Sequence, residues 1–177
     1  TIAAKYAQAI ALYKEANLAK AVTKLDHLIT LEKQNPYFWE LKGQILLEQN
    51  EKELARIAYE KAYSLSGNVM VLQQLAKVEL LLNTQKSNSN ALKHLEKAIR
   101  MTPDSPTTWS NLAAAQGRNG QMALAKLSLA EAALLRKDFA RALKNAVFAE
   151  KNLTQNLFAH QRALDIINYA EQAQGRK

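Results

Sequence analysis

Residues 35–39 read Asn-Pro-Tyr-Phe-Trp, and residues 105–109 read Ser-Pro-Thr-Thr-Trp. In each stretch a proline follows an Asn or Ser, residue types that cap helices by accepting hydrogen bonds from free backbone N–H groups. Proline fits the first position of a helix, because the N–H that it lacks has no partner there. Both stretches therefore predict the start of a helix with a tryptophan in its first turn. They lie 70 residues apart, which indicates an internal repeat of about 35 residues.

A second pattern recurs around these helix starts. An alanine is followed four residues later by a large apolar residue and, three residues after that, by a small or apolar one. Spacings of three and four place all three side chains on one face of a helix. The alanines let a neighbouring helix approach closely, and the larger residue fills the groove between the two. The four instances are Ala21-Leu25-Leu28, Ala55-Tyr59-Ala62, Ala91-Leu95-Ala98 and Ala125-Leu129-Ala132.

Together the two patterns resemble the tetratricopeptide repeat, whose unit is a pair of antiparallel helices. The matching residues are Trp39, Gly43, Ala55, Tyr59 and Ala62 in the second unit and Trp109, Leu112, Ala113, Gly120, Ala125 and Ala132 in the fourth. The sequence departs from the repeat consensus at Lys5, Lys42 and Leu72. The resemblance implies an all-α fold, a superhelix of antiparallel helix pairs with about ten helices.

The repeat boundaries divide the chain into helix pairs. The predicted pairs are 2–14 with 17–32, 36–49 with 51–65, 69–83 with 89–101, and 106–118 with 121–136, which together span residues 1–137. Residues 138–177, with a last helix at about 156–172, form a degenerate pair that caps the same array, since terminal repeats are usually atypical. We therefore expect a single domain. The polar run at 83–90 predicts a loop.

Composition excludes several classes of function. The chain has 177 residues, of which 48% are hydrophobic, and it has no cysteine, so disulfides, thiolate metal sites and a cysteine nucleophile are excluded. Its three histidines lie on different predicted helices, and it has neither a Gly-rich phosphate loop nor a nucleophile elbow. No apolar run reaches the roughly 18 residues of a membrane span. We expect no catalytic site, no metal and no cofactor within this chain, and no transmembrane segment.

The formal net charge is +8. The densest basic patch consists of Arg136, Lys137, Arg141 and Lys144. Such a patch can attract nucleic acid or an acidic surface, or it can simply keep exposed helix faces solvated. Because no aromatic residues alternate with these cations to form a stacking platform, nucleic-acid binding is the weaker interpretation.

The resemblance also implies a binding surface. In tetratricopeptide arrays the first helices of successive pairs line a concave groove that holds a protein or peptide ligand. The side chains at the corresponding positions are aromatic, aliphatic and amide-bearing, which suits an extended peptide or a partner helix, although some of them could instead only pack between helices. The predicted groove residues are Tyr6, Ile10, Tyr13, Tyr37, Glu40, Gln44, Leu47, Gln73, Lys77, Ser110 and Arg118.

Three stretches are more specific than a generic repeat, namely residues 36–44, 109–132 and 163–167. They resemble the C-terminal tetratricopeptide tail of secreted Gram-negative zinc metallopeptidases of the His-Glu-x-x-His, CAAX-protease-like group. That resemblance implies a peptidase domain before Thr1, a periplasmic or envelope-associated location, and a tail that recruits substrates or partners or docks its own peptidase domain. The alternative is a freestanding scaffold or chaperone adaptor without an attached enzyme, and a cytoplasmic location stays open.

Overall fold

The computed structural model describes residues 1–175. These residues form ten α-helices and no strand: α1 Ile2–Lys14, α2 Leu18–Leu31, α3 Pro36–Glu48, α4 Lys52–Ser66, α5 Val69–Leu82, α6 Gln85–Met101, α7 Pro106–Arg118, α8 Met122–Leu135, α9 Phe139–Asn152 and α10 Leu157–Gly175. The all-α prediction is therefore confirmed. Arg176 and Lys177, the end of the predicted C-terminal pair, lie outside the described residues.

The helices group into two compact units, the first spanning residues 1–82 and the second beginning at Asn83. In the first unit each of α1 to α4 packs against the next helix along the chain. Its core includes two instances of the alanine pattern, Ala21-Leu25-Leu28 and Ala55-Tyr59-Ala62, and all six of these side chains are buried. The pattern therefore predicted correctly which helix faces meet.

In the second unit, consecutive helices from α6 to α10 pack together, and α8 also contacts α10. The third alanine pattern is fully buried here, and in the fourth only Leu129 is partly exposed. The core shared by the last three helices is built mainly from small side chains, among them Ala130, Ala142, Ala146 and Ala170. Small residues allow three helix backbones to approach closely, which explains why α8 contacts α10 as well as α9.

The two quoted stretches begin helices as predicted. The Asn35 side chain accepts a hydrogen bond from the Tyr37 backbone N–H at 3.2 Å, and Ser105 caps α7 through the Thr108 N–H at the same distance. Each tryptophan also closes the preceding turn, because Trp39 Nε1 donates to the Lys33 carbonyl at 3.1 Å and Trp109 Nε1 donates to the Pro103 carbonyl at 2.8 Å. The two indole rings are only partly buried.

The predicted loop at 83–90 is wrong, because α6 begins at Gln85. Thr84 and Ser87 form a capping box in which each side chain accepts a hydrogen bond from the backbone N–H of the other. One turn later Asn88 is buried, and its carbonyl accepts a hydrogen bond from the Asn119 side chain at 2.9 Å. The polar residues of this run thus start a helix and join it to the end of α7 at Asn119, whereas their composition alone indicated a loop.

Candidate functional site

The first unit contains an open cavity of about 320 Å³ between α3, α4 and α5, which we call the first-unit cavity. Four of the predicted groove residues meet in it. The lining side chains are Glu40, Gln44, Leu47, Glu48, Tyr59, Gln74 and Lys77. The repeat register predicted that Glu40, Gln44, Leu47 and Lys77 face one groove, and the structure places all four around this cavity. That they bind a partner stays a prediction.

A polar network joins α1 to the edge of this cavity. The Tyr13 hydroxyl donates a hydrogen bond to Glu48 Oε1 at 2.5 Å and accepts one from Gln44 Nε2 at 2.7 Å. The bond to the Glu48 carboxylate, together with burial, raises the pKa of Tyr13. The phenol therefore stays protonated, and it bonds both the Gln44 amide and the Glu48 carboxylate.

Tyr59 forms one wall of the cavity from α4. Its side chain is 3% exposed, and burial, followed by the nearby Glu40 and Glu48 carboxylates, raises its pKa to about 12. The ring lies directly on Gly43 of α3, where an added Cβ would stand 3.0 Å from Tyr59 Cδ2. The missing side chain at Gly43 is therefore what allows the tyrosine to reach this position.

The remaining aromatic groove residues lie on α1 and at the start of α3. The Tyr6 hydroxyl donates to the Tyr37 carbonyl at 3.4 Å, and its ring centroid is 5.0 Å from that of Phe38. Burial raises the pKa of Tyr6, with a further contribution from Glu40. The Tyr37 side chain is 64% exposed, so it is the aromatic group most accessible to a partner in this part of the molecule. Ile10 is partly buried.

The other two predicted groove residues, Ser110 and Arg118, lie in the second unit. They line a separate cavity of about 390 Å³ between α7 and α8, together with Ala113, Ala114, Gly117, Met122, Ala125, Lys126 and Leu129. Ser110 Oγ accepts a hydrogen bond from Arg136 Nη1 at 3.1 Å, and Arg118 lies 3.5 Å from Asn88 Oδ1. We call this the second-unit cavity.

The two cavities use the same four register positions, 70 residues apart. Glu40, Gln44, Leu47 and Glu48 in α3 correspond to Ser110, Ala114, Gly117 and Arg118 in α7. In α3 these positions carry two carboxylates, an amide and a leucine. In α7 they carry a hydroxyl, two small residues and a guanidinium. The repeat therefore places a cavity at an equivalent position in each unit but lines it with different chemistry.

Glu48 also falls at a groove position of the repeat register, but the lining residues Tyr59 and Gln74 were not predicted, and the predicted Gln73 lies elsewhere. The register assigned the groove to first helices only, so it treated Tyr59 of the second helix α4 purely as a core residue. On α5 the register pointed to Gln73, which is partly buried, whereas the neighbouring Gln74 lines the cavity. No sequence signal indicated that the Tyr59 ring reaches the cavity, because its position depends on the space left at Gly43.

Within residues 1–175 no group of three or more His, Asp or Glu side chains is placed to hold a metal ion. Over the same range no helix has both the length and the apolar character needed to cross a lipid bilayer.

Comparisons with known proteins agree with this architecture. Residues 6–68 match the family model described as Tetratricopeptide repeat. The solved structure of MamA residues 41 to the end, from Desulfovibrio magneticus RS-1, is 15% identical, with a TM-score of 0.72, over 99% of this chain and 96% of that one. YrrB, described as a TPR protein with an unusual peptide-binding site, is 17% identical, with a TM-score of 0.70, over 97% of this chain and 85% of its own. The fold is therefore of the tetratricopeptide-repeat type.

One curated relative also matches in sequence. Anaphase-promoting complex subunit 7 of Dictyostelium discoideum is 29% identical over 104 residues, which are 59% of this chain and 17% of that protein. The chain thus spans about one sixth of the length of this relative.

Proposed function

We propose that this chain, a tetratricopeptide-repeat domain by its fold, is a protein-interaction domain that binds an extended peptide segment of its partner. The observation that carries this proposal is the first-unit cavity, whose walls are preorganised by the Tyr13 hydrogen bonds to Gln44 and Glu48. A fixed polar edge beside the exposed Tyr37 ring offers both direction and anchoring area to a peptide. The description of YrrB as a peptide-binding repeat protein supports the same use of the fold.

The charges around the first-unit cavity indicate which side chain would enter it. Glu40 and Glu48 face it with carboxylates, and Lys77 contributes a single ammonium group. Tyr59 contributes a protonated hydroxyl, because its pKa is about 12. Such a lining suits a basic or amide-bearing side chain of the peptide, which could pair with the carboxylates in a partly enclosed space.

We further propose that the domain is the non-catalytic, substrate- or partner-recruiting part of a bacterial envelope zinc metallopeptidase, located in the periplasm or at the envelope. The support is the resemblance of residues 36–44, 109–132 and 163–167 to the C-terminal tails of those enzymes. Tetratricopeptide repeats are generally non-catalytic, which suits a recruiting role beside a separate catalytic domain. The attached peptidase domain itself is a second candidate ligand for the cavity.

A freestanding scaffold or chaperone adaptor is the alternative. It is favoured by the sequence relative from Dictyostelium, whose name describes a subunit of a multiprotein complex. The two alternatives differ in what is joined to this domain. A His-Glu-x-x-His motif in the coding sequence upstream of Thr1 would support the peptidase proposal, and an upstream region without one would leave the scaffold.

Photo-crosslinking tests the binding role directly. Benzoylphenylalanine in place of Tyr37 should crosslink a specific set of partners from an envelope extract, whereas the same group at the similarly exposed Tyr169 should not. The set captured at Tyr37 should shrink in a Gln44→Ala background and persist in the matched Gln34→Ala background, since Gln34 is exposed and does not line the cavity. Equal capture from the two positions, or equal capture in the two backgrounds, would refute the first-unit cavity as the recognition surface.

A further inference from the structure

Positive charge is concentrated in the second unit. Residues 1–82 contain 10 Lys and Arg against 9 Asp and Glu, whereas residues 83–177 contain 14 against 7. The first unit is thus nearly neutral, and the excess of basic residues belongs to the unit that contains the second-unit cavity. Such an excess attracts anionic partners when it is gathered on one face.

Three of these 14 basic residues lie on one exposed face of α9. Arg141, Lys144, Phe148 and Lys151 follow each other at spacings of three, four and three residues, which places them in one row along the helix. All four are exposed, and Phe148 is exposed by 42% although it is a large apolar group. The opposite face of α9, which includes Ala142 and Ala146, is buried in the core. We call the exposed row the α9 stripe.

The α9 stripe is continuous with the second-unit cavity. Lys126 of α8 lines that cavity, and its ammonium nitrogen lies 5.9 Å from the centre of the Phe148 ring. At the other end, the Arg136 guanidinium donates to Ser110, which also lines the cavity. Lys126 and Arg136, the residue that follows α8, therefore border a recess whose walls include Ala113, Ala114, Gly117 and Ala125, and the contact between Lys126 and Phe148 joins this recess to the stripe.

The acidic groups of α8 and α9 leave most of this charge unbalanced. Arg162 of α10 forms a bidentate ion pair with Glu131, in which Nε donates to Oε1 at 2.6 Å and Nη2 donates to Oε2 at 2.8 Å. Glu150 lies 3.9 Å from His160 of α10. On the stripe itself Arg141 forms an ion pair with Asp138 at 3.3 Å. Lys144 and Lys151 make no ion pair with any residue of the described range 1–175.

We propose that the second-unit cavity and the α9 stripe together bind an acidic, extended peptide segment. Its carboxylates would pair with Lys144, Lys151 and Lys126, and a small or aliphatic side chain would enter the recess beside Gly117. A nucleic acid fits less well, because single strands are held by successive aromatic rings, and among these residues Phe148 is the one ring, already contacted by Lys126. This site is separate from the first-unit cavity and does not depend on what that cavity binds.

Fluorescence anisotropy with defined probes tests the proposal on the full chain. The probe is a fluorescein-labelled peptide of alternating Glu, Gly, Asp and Leu, and its control replaces Glu and Asp with Gln and Asn. The acidic probe should bind, and its affinity should fall as salt rises through about 0.15 M, where charges at the surface become screened within roughly 8 Å. The neutral probe should bind at least about tenfold more weakly, a difference of about 1.4 kcal/mol.

Matched variants locate the site. Lys144→Glu with Lys151→Glu should weaken the acidic probe about tenfold or more. Lys86→Glu with Lys93→Glu should change its affinity less than about twofold, because these exposed lysines of α6 carry the same charge change away from the stripe. The neutralising pair Lys144→Gln with Lys151→Gln should give an intermediate loss of affinity. This variant serves as a control in case the charge-reversed variant misfolds. Gln44→Ala should leave the affinity for this probe unchanged, because Gln44 lines the first-unit cavity. Failure of the first-unit proposal can therefore be distinguished from failure of this one.

Four outcomes would overturn the proposal. The first is equal binding of the acidic and neutral probes, and the second is an equal loss of affinity in the two charge-reversed variants. The third is tighter binding of a single-stranded RNA of similar length, if the Lys144 and Lys151 variant abolishes that binding. The fourth is capture on anionic phosphatidylserine vesicles that depends on the same two lysines. The third result would assign the face to nucleic acid, and the fourth would assign it to a membrane surface.

Discussion

Gly43 and Gly117 are both helical glycines, and the structure predicts opposite effects for alanine at the two positions. A Cβ added at Gly43 would stand 3.0 to 3.1 Å from three atoms of the Tyr59 ring, whereas a Cβ at Gly117 would meet no heavy atom within 4 Å. Alanine is favoured over glycine inside a helix by about 0.8–1 kcal/mol. The two substitutions therefore share the same gain in helix propensity and differ in the contact with Tyr59.

The size of the effect follows from that contact. Tyr59 is 3% exposed and is held between α3 and the neighbouring helices, so its ring cannot simply swing into solvent. Forcing a methyl group into such a contact typically costs about 1–3 kcal/mol. Gly43→Ala should therefore lower the free energy of unfolding by about 1 kcal/mol once the gain in propensity is subtracted. Gly117→Ala should raise it by about 0.5–1 kcal/mol.

Urea unfolding followed by tryptophan fluorescence measures both effects, since each unit contains one of the two tryptophans. A Tyr59→Leu background supplies the decisive control, because a flexible side chain can yield to the new methyl group. There Gly43→Ala should become neutral or stabilising, which gives a coupling of about 1–2 kcal/mol between the two positions. Shifts of equal sign and size for Gly43→Ala and Gly117→Ala would refute the reasoning, as would a loss at Gly43 that persists unchanged in the Tyr59→Leu background.

Three further predictions follow from local contacts. Thr84→Ala removes the capping box of α6 and should cost about 1 kcal/mol, seen as faster amide exchange in the first turn of that helix; unchanged exchange would contradict the cap. In the folded chain the Tyr59 phenol keeps its proton up to a pKa of about 12, whereas in the unfolded chain it loses it near the ordinary pKa of 10.0. The free energy of unfolding should therefore fall by up to about 2–3 kcal/mol as pH rises from about 10 to 12. The fall should be smaller in Tyr59→Phe, and ultraviolet titration should lose the phenol that ionises near pH 12. Arg162→Met leaves the nearly buried Glu131 carboxylate unpaired and should cost about 1–3 kcal/mol, measured in urea; if the added change Glu131→Gln recovered none of that loss, the ion pair would not be its cause.

The sequence predicted the helices well because their signals are local. A capping side chain, a proline and a row of alanines act within one or two turns, so residues such as Asn35 and Ser105 indicate a helix start wherever the rest of the chain lies. The same reasoning was wrong at 83–90, where it judged polarity alone. Thr84 and Ser87 form a reciprocal cap, and the buried Asn88 accepts a hydrogen bond at its carbonyl from Asn119, the residue that follows α7. That second contact is tertiary, and composition carries no sign of it.

The candidate site was only partly predictable for a related reason. A repeat register states which positions face the groove, and it found Glu40, Gln44 and Leu47. It says nothing about which side chains bond to each other, so the network through Tyr13 became visible only when α1 and α3 were placed side by side. Nor could it indicate that a second helix contributes Tyr59, because that depends on the space left by Gly43.

The internal repeat also explains how one fold can carry two different surfaces. Across the 70-residue offset the positions that build the scaffold are kept: Pro36 and Pro106, Trp39 and Trp109, Ala55 and Ala125, and Ala62 and Ala132. The four cavity positions differ at every pair, from Glu40 and Ser110 to Glu48 and Arg118. Core positions are constrained by close packing, whereas a side chain that faces a cavity can change without opening a void in the core. The carboxylates of the first cavity and the cations around the second are therefore features that the fold itself does not require, and recognition of a partner is a function that would require them.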